Sequence, residues 1–387
     1  MTPSPKTKPN ALVTVGPAKG PSGRFRNVRV LTSQFPAPEF RAFKLWALKL
    51  CAPQRRPPPA GPLPPGGPGP RPGHAATGCA GAPGSGSSSA SATGGAFPVS
   101  VNNCGRTVTV KQQPTRAVAL NQGAIEEALA LGVQKQMAGT AYLDDKVADK
   151  YKDAYASIPV LADKYPTKEV FAQAKPDFAL ASYASAFSDK AVGTRDELEQ
   201  QGIPTYLDPF ACDNKADRAQ VSFDNVWSSL GDIAKLFGQP GNATTVIDAQ
   251  KTELDAVKQA KAGDGQKVFW WDSQTDTPFT GGNAGGPALV MQAVGATNAF
   301  ADVDGAWANV PWEKVVAADP DVIVLADASW STAQSKIDYI SNDPALKNLK
   351  AVQNKRFITV PFSQTTPGAT LVDGAKSVSD QLAALPR

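Results

Sequence analysis

The side chains of this sequence are poorly suited to catalysis and better suited to holding a molecule. Its 387 residues include one histidine and four cysteines. That histidine, His74, sits in a Pro/Gly-rich stretch, so a Ser-His-Asp triad, a Cys-His pair and a His-based metal site are not expected in a folded region, and no CxxC is present. FTGGNAGGP (279–287) has neither the G-x-G-x-x-G spacing nor the Lys-Ser/Thr of a phosphate-binding loop, and Asp272 and Asp276 carry no acid–base motif. What remains is aromatic and acidic. Tyr142, Tyr183, Trp271 and Trp330 stand at or just past the ends of apolar runs. Tyr165 and Trp307 precede two copies of one phrase, EVFAQAKPDFALAS from Glu169 and EKVVAADPDVIVLA from Glu313. In each copy a Glu stands seven residues before a Pro-Asp pair, a mostly apolar stretch fills the gap, and an apolar run follows.

The residues that position these groups emerge once the chain is divided. Residues 1–97 hold 18 of the 34 prolines and a net charge of +11, whereas residues 98–387 carry −7. The overall +4 describes neither part, and a nucleic-acid partner is not expected for the mildly acidic remainder. RRPPPAGPLPPGGPGPRPG (55–73) lacks the backbone donors for helix or central strand and reads as disordered, and GAPGSGSSSASATGGA (81–96) reads as a flexible linker. Just before that linker, AATGCAGAPG places small residues ahead of Cys79, as in a bacterial lipobox. The apolar run that a secretory signal needs before such a site is missing, which points to a displaced start or reading frame, or to an accidental match. Cys104 and Cys212 fit a single disulfide in an exported protein, the alternative being two unrelated thiols.

From residue 98 onward strands and helices alternate. RAVAL, QMAGTAY, DFALAS and PTYLD read as strands of a first lobe; KVFWW, a short stretch near ATNAF, DVIVLA and RFITV as strands of a second, with helices between. This order predicts parallel α/β sheets. FDNVWSSLGDIAKLFG keeps one apolar face at helical spacing, and GNATTVIDAQKTELDAVKQAKAG predicts a long helix from an Asn242 cap to Gly263. The fold class expected is two Rossmann-like lobes joined by a single long α-helix, with a cleft between them. The boundaries are a tail at 1–97, lobes at 98–222 and 265–387, and a helical connection at 223–264.

Taken together, RAVAL…EEALALG…MAGTAY, the Glu-x6-Pro-Asp phrase in each half, FTGGNAGG and LKAVQNKRF resemble the helical-backbone substrate-binding proteins of bacterial ABC importers for ferric siderophores, haem and cobalamin. The resemblance covers about residues 98–387 and rests on the ordered set of motifs. It implies an extracytoplasmic monomer that delivers a metal chelate to a membrane permease, held to the membrane by lipid if Cys79 is modified, with no cofactor or metal of its own. It also implies that Glu169 and Glu313 lie on outer surfaces and pair with permease arginines. The bland reading of the two acids is a preference for helix N-termini. A receptor of the same fold without a transporter is the other open class.

The resemblance turns the aromatic residues into candidate ligand contacts: Tyr142, Tyr165, Tyr183, Trp271, Trp307 and Trp330, with Lys164 and Arg195 as candidate cations. Parallel sheets open their crevice at the carboxyl ends of strands, where most of these residues stand. Tyr and Trp offer apolar area with one polar tip, which suits a large, flat-sided ligand. Trp270, alternating with Trp271, is expected in the core, and Trp312 is a candidate for the same. Arg195 is alternatively a partner of Glu199 one helical turn away. The scarcity of cations favours a neutral or cationic chelate such as a hydroxamate siderophore, and the absence of a histidine ligand disfavours haem.

Overall fold

Short apolar runs become the central strands of two sheets because helices cover both faces of each, so every residue of the run finds a core. The computed structural model describes residues 97–386; the readings of a disordered tail and of a lipid-bearing Cys79 fall outside them. A hairpin of β1 (Val99–Asn103) and β2 (Arg106–Val110) leads into the first lobe, turning at Cys104 and Gly105, both at positive φ. The first sheet follows: β3 (Ala117–Leu120), β4 (Met137–Ala141), β5 (Val160–Ala162), β6 (Phe178–Ala181) and β7 (Thr205–Leu207). They are all parallel, in the order β5-β4-β3-β6-β7. This is the doubly wound arrangement, with its switch point between β3 and β6. Ala117, Ala119, Phe178 and Leu180 face a core shared with Leu230 and Phe237. Val118, Leu120, Ala179 and Ala181 face one holding Phe171 and Leu198.

The second sheet comprises β8 (Lys267–Ser273), β9 (Phe279–Gly281), β10 (Thr297–Asn298), β11 (Trp307–Asn309), β12 (Val322–Asp327) and β13 (Phe357–Pro361). Its order is β11-β9-β8-β12-β13, with β10 beside the start of β8. β8, β12 and β13 are parallel, while β9 runs antiparallel to β8 and β11 antiparallel to β9. Neither β9 nor the edge strand β11 was expected from the sequence, and Trp307 lies on β11. Trp270 faces the core of Val290 and Leu371, and Trp271 faces that of Val315 and Ile340. Both tryptophans are fully buried.

Two helices connect the lobes. Phe223–Leu236 is capped by Ser222, whose Oγ accepts from Asn225 N at 3.1 Å. It contributes Val226 and Trp227 to the second lobe's core and Leu230, Ile233 and Leu236 to the first's. After a turn at Gly238, the helix Pro240–Ala260 runs back, with Ala243 in the first core and Leu254 and Val257 in the second. Its 21 residues span about 30 Å. The expected Asn242 cap is corrected: Gln239 is the cap residue and Pro240 opens the helix, while Asn242 Nδ2 donates to Leu131 O at 2.7 Å, tying the helix to the first lobe. Trp227 Nε1 donates to Gln250 Oε1 at 2.8 Å, and Gln250 Nε2 to Ala369 O at 2.8 Å, so the pair is fastened to itself and to the second lobe. The sulfurs of Cys104 and Cys212 are joined, linking the β1–β2 turn to the segment after β7.

Candidate functional site

The carboxyl ends of the parallel strands in the two lobes face each other. Ser329 N, just past β12, donates to Asp145 Oδ1, just past β4, at 3.0 Å. The first lobe's wall is built from the residues that leave β3, β4, β5 and β6. Asn121 and Tyr142 end their strands at positive φ (73° and 56°), a conformation few non-glycine residues adopt. Tyr142 and Tyr165 meet edge to face with centroids 4.6 Å apart, and Lys164 Nζ stands 4.3 Å from the centre of the Tyr142 ring. Tyr165 OH receives Asn121 Nδ2 at 3.0 Å and shares a 2.7 Å hydrogen bond with Ser185 Oγ. The Asp144 carboxylate accepts from Gln122 N at 3.3 Å, in the first turn of the helix Gln122–Ala130, and the Tyr183 hydroxyl lies against the same carboxylate. Burial pushes the hydroxyls of Tyr165 and Tyr183 up from the ordinary phenol range, so both are held as neutral phenols.

On the second lobe the loop after β12 carries Trp330, 53% exposed, in edge contact with Phe362 past the end of β13 at 5.5 Å. Trp307 is half-buried opposite Gly281, and its indole N–H has no partner among the described residues. Five of the eight candidate contacts, Tyr142, Lys164, Tyr165, Tyr183 and Trp330, are thus brought to the facing strand ends. Two are corrected. Trp271 is fully buried, its Nε1 donates to Ser273 O and Gln274 O at 3.0 and 2.9 Å, and its ring packs 4.9 Å from Trp312. Arg195 is also buried. Its Nε donates to Thr205 Oγ1 at 2.9 Å and its Nη2 to Asn103 Oδ1 at 2.7 Å and Thr205 O at 2.9 Å, which ties β7 to β1 and keeps the guanidinium buried. Asn121, Asp144, Ser185 and Phe362 were missed, although Asn121 and Phe362 stand just past RAVAL and RFITV, where the strand-end rule points. Depressions of about 590 Å³ against β2 and about 630 Å³ along the long helix lie away from this cleft.

The repeated phrase folds the same way twice. Glu169 and Glu313 are each the second residue of a short helix, Lys168–Gln173 and Trp312–Ala318, and both are exposed. The Thr167 hydroxyl and the backbone N–H of Glu169 itself hold the Glu169 carboxyl below its usual range. Each helix stops at a left-handed residue before the proline, Lys175 and Asp319. The following aspartate then receives a neighbouring strand: Asp177 accepts from Thr115 N and Arg116 N, and Asp321 from Lys267 N at 2.7 Å. Arg116 and Lys267 turn back to carbonyls at the ends of the two helices. The Pro-Asp pair is therefore consumed by the fold in both lobes, and the glutamate is left on the surface in both.

The profile of the periplasmic binding protein family matches residues 118–363, well over half of the chain. The chain belongs to that family. Members of the periplasmic binding protein family are solute-binding proteins rather than enzymes. YvrC of Bacillus subtilis (strain 168), described as an uncharacterized ABC transporter substrate-binding lipoprotein, is 26% identical over 292 residues, covering 74% of this chain and 86% of its own. The vitamin B12-binding protein of Yersinia pseudotuberculosis serotype O:3 (strain YPIII) is 25% identical over 232 residues, 59% of this chain and 74% of its own. Among solved structures, a periplasmic binding protein from Veillonella parvula superposes with a TM-score of 0.64 at 28% identity, covering 75% of this chain and 98% of the other. No helix among the described residues is long and apolar enough to cross a membrane.

Proposed function

We propose that this binding protein captures a metal chelate of the ferric-siderophore type between its lobes and delivers it to the permease of an ABC importer. The observation that carries the reading is the pairing of two aromatic walls at facing strand ends, with Tyr142, Tyr165 and Tyr183 on one lobe and Trp330 and Phe362 on the other. Such surfaces match the apolar flanks of a chelate, while the hydroxyls of Tyr165 and Ser185 and the amide of Asn121 offer polar contacts. Trp307 is proposed as a further contact, with its unpartnered indole N–H as donor. Glu169 and Glu313 are the docking residues, each offering a carboxylate to a permease arginine. The protein acts outside the cytoplasm as a monomer, tethered through lipid on Cys79; the similarity to a lipoprotein, YvrC, supports the tether.

The similarity to a vitamin B12-binding protein favours cobalamin as a second reading, since a corrin is also large, flat and without net anionic groups at its faces. Haem is less favoured. No histidine is present among the described residues to serve as an axial ligand. Titration of intrinsic fluorescence with a ferric trihydroxamate, cobalamin and haem tests the assignment. Saturable binding of the trihydroxamate, tightest of the three, is expected; tightest binding of cobalamin would transfer the assignment to the second reading, and binding of none would remove both.

A further inference from the structure

The second residue of the pair Asp144–Asp145 ties the lobes through Ser329, but the first occupies a different kind of place. The helix Gln122–Ala130 begins at the cleft, at the switch point of the first sheet, and a helix start with free N–H groups attracts anions. Lys164, from the loop after β5, adds a full positive charge above the ring of Tyr142. Together these would make an anion receptor. Asp144 fills it instead: its carboxylate accepts from Gln122 N at 3.3 Å, lies against the Tyr183 hydroxyl, and is within electrostatic reach of Lys164. Gln122 is locked in place around it, its Nε2 donating to Lys146 O at 3.0 Å and to Glu126 Oε1 at 3.1 Å, and its Oε1 accepting from Asp145 N at 3.2 Å. The carboxylate is therefore held in a fixed site at the foot of the tyrosine wall.

We propose that Asp144 sets the charge preference of the cleft, its carboxylate taking up the positive end of the helix Gln122–Ala130 and the charge of Lys164, so that uncharged and cationic chelates enter and polyanionic ones do not. The inference rests on the reading of the cleft as a chelate site and specifies which chelates it takes. Charge complementarity of this kind acts by making the wrong partner costly as well as the right one favourable. Lys164 and Asp144 then have opposite effects on the same preference, although they stand on one wall.

The test is fluorescence titration of the wild type, Asp144→Asn and Lys164→Gln with three ferric chelates: a cationic trihydroxamate, a neutral trihydroxamate and a trianionic tris-catecholate. Wild type is expected to bind the cationic chelate at least about tenfold more tightly than the trianionic one. Asp144→Asn should shrink that ratio by about tenfold, and Lys164→Gln should enlarge it, the cationic and trianionic chelates moving in opposite directions relative to the neutral one in each variant. If Asp144 only supports the wall, its substitution lowers all three affinities together and leaves the ratio unchanged, which overturns the proposal while the chelate reading stands. If wild type binds none of the three, the chelate reading fails and the proposal falls with it.

Discussion

Glu126 lies buried where the lobes touch, and that burial raises its hold on a proton. Its Oε1 accepts from Ala148 N at 2.9 Å and from Gln122 Nε2, while Oε2 is 3.1 Å from Thr370 Oγ1 of the second lobe. Thr370 has one hydroxyl proton and a nearer acceptor, Ser363 O at 2.7 Å. The Thr370 hydroxyl proton is thus shared between Glu126 Oε2 and the nearer Ser363 O, which leaves the carboxylate only weakly compensated on that side. Burial pushes this carboxyl up to about 7 from 4.5, against smaller opposing effects of Ala148 N–H, Thr370, Gln122 and Lys150. A group raised on folding stabilises fully below its unfolded value and loses that contribution as pH rises through the folded one. Stability should accordingly fall between about pH 5 and pH 8 by up to roughly 3 kcal/mol from this group. Glu127 and Asp208, two buried carboxyls raised by burial and, for Glu127, by Asp208, add to the same trend. Urea denaturation of Glu126→Gln should show a flatter pH profile than wild type; an identical slope would contradict a carboxyl raised by burial. Trp330 gives the complementary test, since it is 53% exposed and contributes little to the core. Trp330→Ala should weaken chelate binding about tenfold, as read by calorimetry, with an unchanged thermal midpoint. The sequence located Trp330 because a strand end is readable, but it misassigned Trp271. Alternation along a strand separates buried from exposed only where one face of the sheet is bare, and here both faces are covered. Arg195 was misread for a related reason, as its partners Asn103 and Thr205 are brought to it only by the fold.

At the scale of elements, the two helices that carry Glu169 and Glu313 are short, and each is held by what lies beneath it. Phe171 is buried under Lys168–Gln173. Trp312, the first residue of the other helix, packs on Trp271 and Tyr339 and donates from Nε1 to Thr275 O at 2.6 Å. Trp271 therefore serves Glu313 from below, and Trp271→Ala should cost about 3–5 kcal/mol of stability by calorimetric unfolding. A loss below about 1 kcal/mol would place the ring outside the core. The Cys104–Cys212 link closes 108 residues, and in the chain-entropy model this constrains the unfolded state by about 4–5 kcal/mol. Replacing both cysteines with serine should lower stability by up to that amount in chemical denaturation, and no measurable loss would count against the model. The central strands were legible because four or five apolar residues in a row, as in AVAL, FALA, VFWW and VIVLA, have few alternatives. β5, β9 and β11 were not, being three residues each and, in β9, containing Gly281. The helix before β7 is confined to Arg195–Gln200 because Thr194 and Glu197 form a capping box, a signal present as T-x-x-E in the sequence.

At the scale of the molecule, the proposed function places the ligand between the two lobes and assigns one exposed glutamate of each lobe to the permease. Two antiparallel helices shared between the cores, and contacts from Glu126 to Thr370 and from Lys150 to Asp373 at 2.5 Å, join the lobes. The long helix was legible from its uninterrupted length; the role of its neighbour in both cores was not, because an amphipathic pattern shows that a face is buried without saying against which lobe. The central claim is that the repeated glutamates serve delivery and the aromatic walls serve capture. The direct test measures chelate affinity by fluorescence and uptake in vesicles containing the cognate permease, for wild type, Glu169→Ala, Glu313→Ala and the double variant. Affinity should stay within about twofold throughout, while uptake falls in each single variant and furthest in the double, as expected when each lobe loses one charge-assisted contact of about 1.5–3 kcal/mol. Full uptake by the double variant, or loss of chelate binding in either single one, would contradict it.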